Sequence, residues 1–317
     1  MRKFFELMQR FFSSIPGKGF TSSILLLSSF FAVFSAAPAV TTYVGESRQR
    51  GLLVLVIGAG LTFLLGGVPA GVIYIGIVLF STVVMGEFIR AKISFGKTLV
   101  ISSVIIIGVY AIAVVVYSSS QSLGVMDLFT SKIMFAINFM KTNYPDVIKQ
   151  TLIETGMSEK ELALSIATKI PAIMTSVVMV FLFINMLIVG RYDEKMMNFL
   201  KFENLMKFKM PEYFVWPAIV CGGIYLYSTT TYNNSVNSAT IDMIGLFLFK
   251  GIMTIYFLYG LMVVYVVTSI KIPAGFFRAA LFSVIIVFAY IFVAAVGFFD
   301  TWFDFRKYFN KKGEEEL

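Results

Sequence analysis

Lys250 falls nine residues into an apolar run over 241–269, flanked by Phe247, Leu248, Phe249 and Ile252. An ammonium at bilayer depth costs a few kcal/mol, so it must face the interior of a helix bundle, or water. There it could hold an anion or a carboxylate ligand. If the span begins later, the same side chain snorkels near its end. Asp242 lies two helical turns earlier and can share the Lys250 face, but eight residues is too long a gap for direct contact. Asn185, inside another apolar run, can bond across helices. Lys250, Asp242 and Asn185 are therefore the candidates for ligand contact.

The second chemically loaded stretch is Gly297-Phe298-Phe299-Asp300-Thr301-Trp302-Phe303-Asp304-Phe305-Arg306-Lys307. Asp300 and Asp304 are one turn apart, and Arg306 can pair with either or with a phosphate. Two carboxylates at this spacing could hold a divalent cation. An interfacial helix end, with Trp302 and the phenylalanines in an aromatic belt, explains them as well, and no metal site is expected. Glu87 with Arg90, and Glu46 with Arg48 and Arg50, look like local charge clusters. Ala32 and Ala36, four apart, would let a neighbouring helix or a membrane partner approach closely.

Equally informative are the residue types that are missing. The chain has no histidine and one cysteine, Cys221. Histidine acid/base catalysis, histidine metal ligation, intrachain disulfides and paired-cysteine redox chemistry are excluded. No carboxylate pair is convincingly placed for intramembrane hydrolysis, so neither an enzyme activity nor a cofactor is expected.

The elements that hold these residues are transmembrane helices. Of 317 residues 58% are hydrophobic and 14% charged, with a mean hydropathy of +0.85; a soluble domain carries about a quarter charged residues. Runs of about 20 apolar residues are needed to cross the hydrocarbon. The sequence supplies candidates at 20–43, 52–66, 68–88, 98–117, 170–190, 214–230, 241–269 and 277–299. The expected fold is an all-α polytopic bundle of about eight spans with amphipathic interfacial helices. It divides into an interfacial segment (1–19), a first four-span half (20–117), an extramembrane amphipathic segment (118–169), a second half (170–299) and a charged tail (300–317). Within 118–169, two amphipathic helices are expected. Ser158 and Glu161 have capping-box spacing, in a pattern that runs to Pro171. Span one is broken at Ala36-Ala37-Pro38-Ala39, and Gly66-Gly67-Val68-Pro69 makes a tight turn or a broken helix between spans two and three. Asn233 opens a formal glycosylation acceptor.

A net charge of +8 suits anionic headgroups better than nucleic acid, because the cations are scattered through short loops. Counted over eight spans, positive residues divide 13 to 12 between the two sides, and a re-entrant first span would change that count.

The ending, the proline-broken first span, the glycine-proline turn and Met210-Pro211 with Trp216 together resemble the YybS-like group of uncharacterised bacterial membrane proteins. That group is similar in fold to the substrate-binding subunits of energy-coupling-factor vitamin transporters. The resemblance implies a multi-pass protein of the bacterial inner membrane, and in those subunits small residues four apart on the first helix meet the energising partner; Ala32 and Ala36 match here. The chain departs from them by two additional spans and the 118–169 insertion. Two functions are expected: a transport-related subunit binding a small solute, or a scaffold for envelope or division machinery. The expected partner is the lipid bilayer, with a membrane protein and a small solute as further candidates and no nucleic acid.

Overall fold

The computed structural model describes residues 10–28, 31–190, 210–230, 236–272 and 289–307, together with 275, 277, 280, 281, 284 and 285. Outside the described residues lie the first nine of the interfacial segment, most of the basic connector at 191–213, Asn233, much of 277–288 and the tail beyond Lys307. Every regular element among the described residues is helical. Four helices are long and apolar enough to cross a membrane: Arg48–Arg90, Phe95–Ser120, Glu159–Val189 and Ala239–Ser269, while Ala32–Gly45 and Tyr290–Phe303 are apolar but shorter. The protein is an all-α bundle of membrane type. Its chain packs as two units, Met1–Ile107 with Val178–Phe208, and Gly108–Val177 with Lys209–Leu317.

The first unit opens with α1 (Ile15–Leu27), started by Ser14, whose hydroxyl accepts from the Gly17 N–H, and by Pro16 in the first turn. A short 3-10 turn (Ala32–Phe34) leads to α2 (Ala37–Gly45). Pro38 sits in the first turn of α2, where its missing N–H leaves no bond unmade. The first expected span is therefore interrupted between the end of α1 at Leu27 and the start of α2 at Ala37, earlier than the proline suggested. The two arms return on each other, since the Lys18 ammonium bonds the Glu46 carboxylate. Residues 20–43 are a hairpin with both ends together, not a single crossing.

The helix α3 (Arg48–Ile73), capped by Ser47, runs on through a wide turn (Tyr74–Leu79) into α4 (Phe80–Arg90). A straight helix would hold Arg48 and Glu87, 39 positions apart, about 58 Å from each other; their side chains meet at 2.5 Å. The reversal is at Gly67, whose φ of 73° is left-handed backbone that glycine adopts without penalty, and Pro69 follows in the next turn. Arg48–Arg90 is thus a hairpin of two limbs. Tyr43 wedges between them: a Cβ on Gly51 would stand 2.5 Å from its Cα, and one on Gly86 2.6 Å from its ring. Alongside the first limb, Ser23 donates to the Gly58 carbonyl (2.7 Å) and the Leu27 side chain abuts Gly66. The start of α5 (Phe95–Ser120) completes the unit, with Phe95 edge-on to Phe183, their ring centroids 5.9 Å apart.

In the second unit α6 (Val125–Asn143) and α7 (Pro145–Thr155) form a helical hairpin, ended by Gly156 in the left-handed region. Next, α8 (Glu159–Val189) begins with the expected capping box: the Ser158 N–H donates to Glu161 Oε2 (2.8 Å) and the Glu161 N–H to Ser158 Oγ (3.3 Å). The pattern starting at Ser158 is not a separate amphipathic helix. It is the first part of α8, which continues through Pro171, as membrane helices can. Ile137 of α6, Ile148 of α7 and Leu162 and Ala163 of α8 make one small core. The unit is completed by α9 (Val215–Thr230), α10 (Val236–Lys271) and α11 (Tyr290–Phe303).

Backbone touches backbone where α10 and α11 cross. A Cβ on Gly297 would fall 2.2 Å from the Tyr256 carbonyl oxygen, and one on Gly260 1.9 Å from that of Val293. Gly297→Ala should therefore destabilise the protein by about 1–3 kcal/mol, read as a lower unfolding midpoint in detergent, whereas Gly223→Ala, with open space around its Cβ, should not.

Candidate functional site

The Gly260–Gly297 crossing brings Tyr259, one residue along α10, against Asp300, one turn along α11. Asp300 is wholly buried and Arg306 is 1% exposed. The Tyr259 hydroxyl donates to Asp300 Oδ2 (2.7 Å), and Arg306 Nη2 donates both to that oxygen (2.8 Å) and to the Tyr259 oxygen (2.6 Å). Asp300 Oδ1 accepts the Phe305 N–H (2.8 Å). Asp304, in left-handed backbone at the end of α11, turns the chain so that Arg306 comes back over Asp300; its own carboxylate pairs with Lys307. The Met210 N–H donates to the Tyr259 oxygen (3.2 Å), fastening the entry to α9 onto the same group.

The sequence expectation for this motif changes accordingly. Trp302 is half exposed and packs edge-on against Phe298. Asp300 and Arg306, by contrast, are interior. The two aspartates do not converge: Asp300 is committed to Arg306 and Tyr259, Asp304 to Lys307. Among the described residues no group of three or more acidic, histidine or cysteine side chains could hold a metal ion. Tyr259 carried no charge signal in the sequence; its place one residue before Gly260 was the available hint.

The remaining candidates are separated. Lys250 lies mid-helix in α10, not near its end, and donates to the Tyr290 hydroxyl (2.7 Å), with the ammonium 5.3 Å from that ring's centroid. Asp242 accepts from Ser228 of α9 (3.2 Å). Asn185 is buried in the first unit, where its amide donates to the Val33 and Phe181 carbonyls (2.8 Å each). Ala36 is fully buried and Ala32 half-buried, and the pair lies in and beside the 3-10 turn instead of along one helix face.

Charge in the first unit gathers at the ends of its two hairpins. Glu87 accepts from Tyr43 (2.5 Å) and Arg48 (2.5 Å), not from Arg90, whose guanidinium donates to the Tyr43 carbonyl (3.0 Å). Glu46 takes Lys18 and Arg50. The hydrogen bond from Lys18, with Arg50 beside it, holds the Glu46 carboxyl below its ordinary value.

A family profile described as Predicted membrane protein (DUF2232) matches residues 20–301. The chain belongs to this family. No curated protein and no solved structure matches the chain. The DUF2232 match reaches Asp300 and Tyr259 and stops before Arg306.

Asp300→Leu or Arg306→Met alone leaves a buried charge unpaired and should cost about 3–5 kcal/mol, while the double variant should recover much of that loss; unfolding in detergent reads all three. At Glu46 the folded carboxyl ionises more readily than the unfolded one. Its contribution is present above the ordinary value of 4.5 and is lost as pH falls through the depressed one. Lys18→Met, which leaves Arg50 on Glu46, should reduce that acid sensitivity of the unfolding midpoint, with a change of at most about 1 kcal/mol for a pair this accessible.

Proposed function

We propose that the protein is a transport-related, non-enzymatic subunit of the bacterial inner membrane, holding a small uncharged polar solute among the helices of its first unit. The observation that supports this reading is unspent hydrogen-bonding capacity. The hydroxyls of Ser35, Thr82, Ser102 and Ser103 and the Asn185 Oδ1 are buried and have no hydrogen-bond partner among the described residues. Buried polar side chains are ordinarily bonded by protein, water or ligand. Inside a bilayer the lipid offers no substitute. None of these groups ionises, which favours a solute recognised through hydroxyl or amide groups over an anion. Of the three ligand candidates the reading keeps Asn185; Lys250 and Asp242 are engaged with Tyr290 and Ser228.

A scaffold role is the second reading, favoured by Phe135, Phe139 and Ile153, which the α6–α7 hairpin leaves more than half exposed.

Thermal unfolding of the detergent-purified protein against amino acids, polyols, nucleosides, vitamins and anions separates the two. A ligand at about 100 times its Kd adds roughly 2.7 kcal/mol. A shift confined to uncharged polar compounds, and lost in Ser102→Ala/Ser103→Ala while the unliganded midpoint stays within about 1 kcal/mol, is expected. A shift from anions alone, or none across the panel, leaves the scaffold reading.

A further inference from the structure

We propose that the charged end of the first unit is the cytoplasmic face of the protein and lies against the anionic lipid phosphates of that leaflet. Both hairpins of the unit start and finish there. Lys18 of α1 meets Glu46 after α2, and Arg48 at the start of α3 meets Glu87 near the end of α4. Short connections then bring in Lys92 and Lys97 ahead of and within the first turn of α5. This end therefore collects Lys18, Arg48, Arg50, Arg90, Lys92 and Lys97 against two carboxylates, Glu46 and Glu87.

Both carboxylates are already bonded, Glu46 by Lys18 and Arg50 and Glu87 by Arg48 and Tyr43. The Arg48 and Arg50 side chains remain 59% and 61% exposed, with further N–H donors turned outward. Among the described residues, the opposite end of the Arg48–Arg90 hairpin is bare of charge. No ionisable Asp, Glu, Lys or Arg occurs between Arg50 and Glu87, a stretch that includes the Gly67 reversal. An uncharged far end and a basic near end are what a membrane hairpin shows when its near end stays in the cytoplasm.

The returning α1–α2 hairpin also changes the count for the whole chain. With the other spans as read from the sequence, it carries Arg2, Lys3, Arg10 and Lys18 to the side of Arg48, and the 13-to-12 division becomes 9 against 16. Guanidinium and ammonium groups at the mouth of a membrane-spanning hairpin stand at headgroup depth, where phosphate oxygens accept from them, and each cation near such a surface strengthens binding about fivefold.

Single cysteines in a Cys221→Ser background test the orientation. A membrane-impermeant maleimide added to spheroplasts should label Ser120→Cys, at the far end of α5, whose 26 residues span about 39 Å. Ser13→Cys and Gly45→Cys should react only after the membrane is opened. The reverse pattern overturns the orientation; Ser13→Cys and Gly45→Cys on opposite sides overturn the hairpin. For the lipid, the protein in phosphatidylcholine nanodiscs should gain unfolding temperature when phosphatidylglycerol is included, and Lys92→Gln/Lys97→Gln should reduce that gain. No dependence on phosphatidylglycerol, or an equal gain from inorganic phosphate in phosphatidylcholine alone, overturns the lipid assignment.

Discussion

Inside a bilayer a polar group is bonded by the protein or by nothing, because the hydrocarbon offers no water to take its place. Much of the packing in this chain follows from that constraint acting through glycine. At Gly58 a methyl group would sit 2.0 Å from the Tyr74 hydroxyl; at Gly51 and Gly86 it would strike Tyr43; at Gly260 and Gly297 it would strike the opposing backbone. Each glycine lets a neighbour come close enough for a bond that a longer side chain would prevent. The Ser22 hydroxyl reaches Tyr74 (2.7 Å), the Ser23 hydroxyl reaches the Gly58 carbonyl, and Tyr259 reaches Asp300. Helices without a hydrophobic driving force between them associate through just such close packing and bonding.

Two electrostatic regimes result. At the end of the first unit, ion pairs such as Arg48–Glu87 are solvent-accessible and individually weak. Their consequence is collective, since they fasten hairpin ends together and leave a surplus of positive charge on one surface. The Asp300–Arg306 pair is the opposite case, closed off from water and supported by Tyr259 and the Phe305 and Met210 amides. Burying two charges is expensive unless further hydrogen bonds satisfy them, and this cluster supplies those bonds from three chain segments. It joins the entry to α9, the middle of α10 and the end of α11 at one point.

For function, the ionisable groups that stand out in the sequence are occupied with holding the protein together. Lys250 rests on Tyr290, Asp242 on Ser228, and Asp300 on Arg306. In the first unit, the buried polar atoms left over among the described residues are neutral and lie elsewhere, on Ser35, Thr82, Ser102, Ser103 and Asn185. Hydroxyls of this kind carry almost no signal in an apolar sequence, because serine and threonine usually bond their own helix backbone, as Thr62 and Thr175 do here.

Composition and hydrophobic run length were enough to establish an all-α membrane protein, because the thickness of the hydrocarbon imposes a minimum helix length on any chain that crosses it. Local chemistry was legible in the same way: the Ser158–Glu161 cap and the reversal at Gly67 each depend on neighbouring residues alone. Pairings across the chain were not. Lys18 with Glu46, Arg48 with Glu87, and Tyr259 with Asp300 are 28, 39 and 41 positions apart, and no periodicity encodes which helix faces which. Tertiary structure decided that residues 20–43 return instead of crossing, and that the aspartate and arginine of the terminal motif face inward, because both outcomes depend on where glycines allow two backbones to meet.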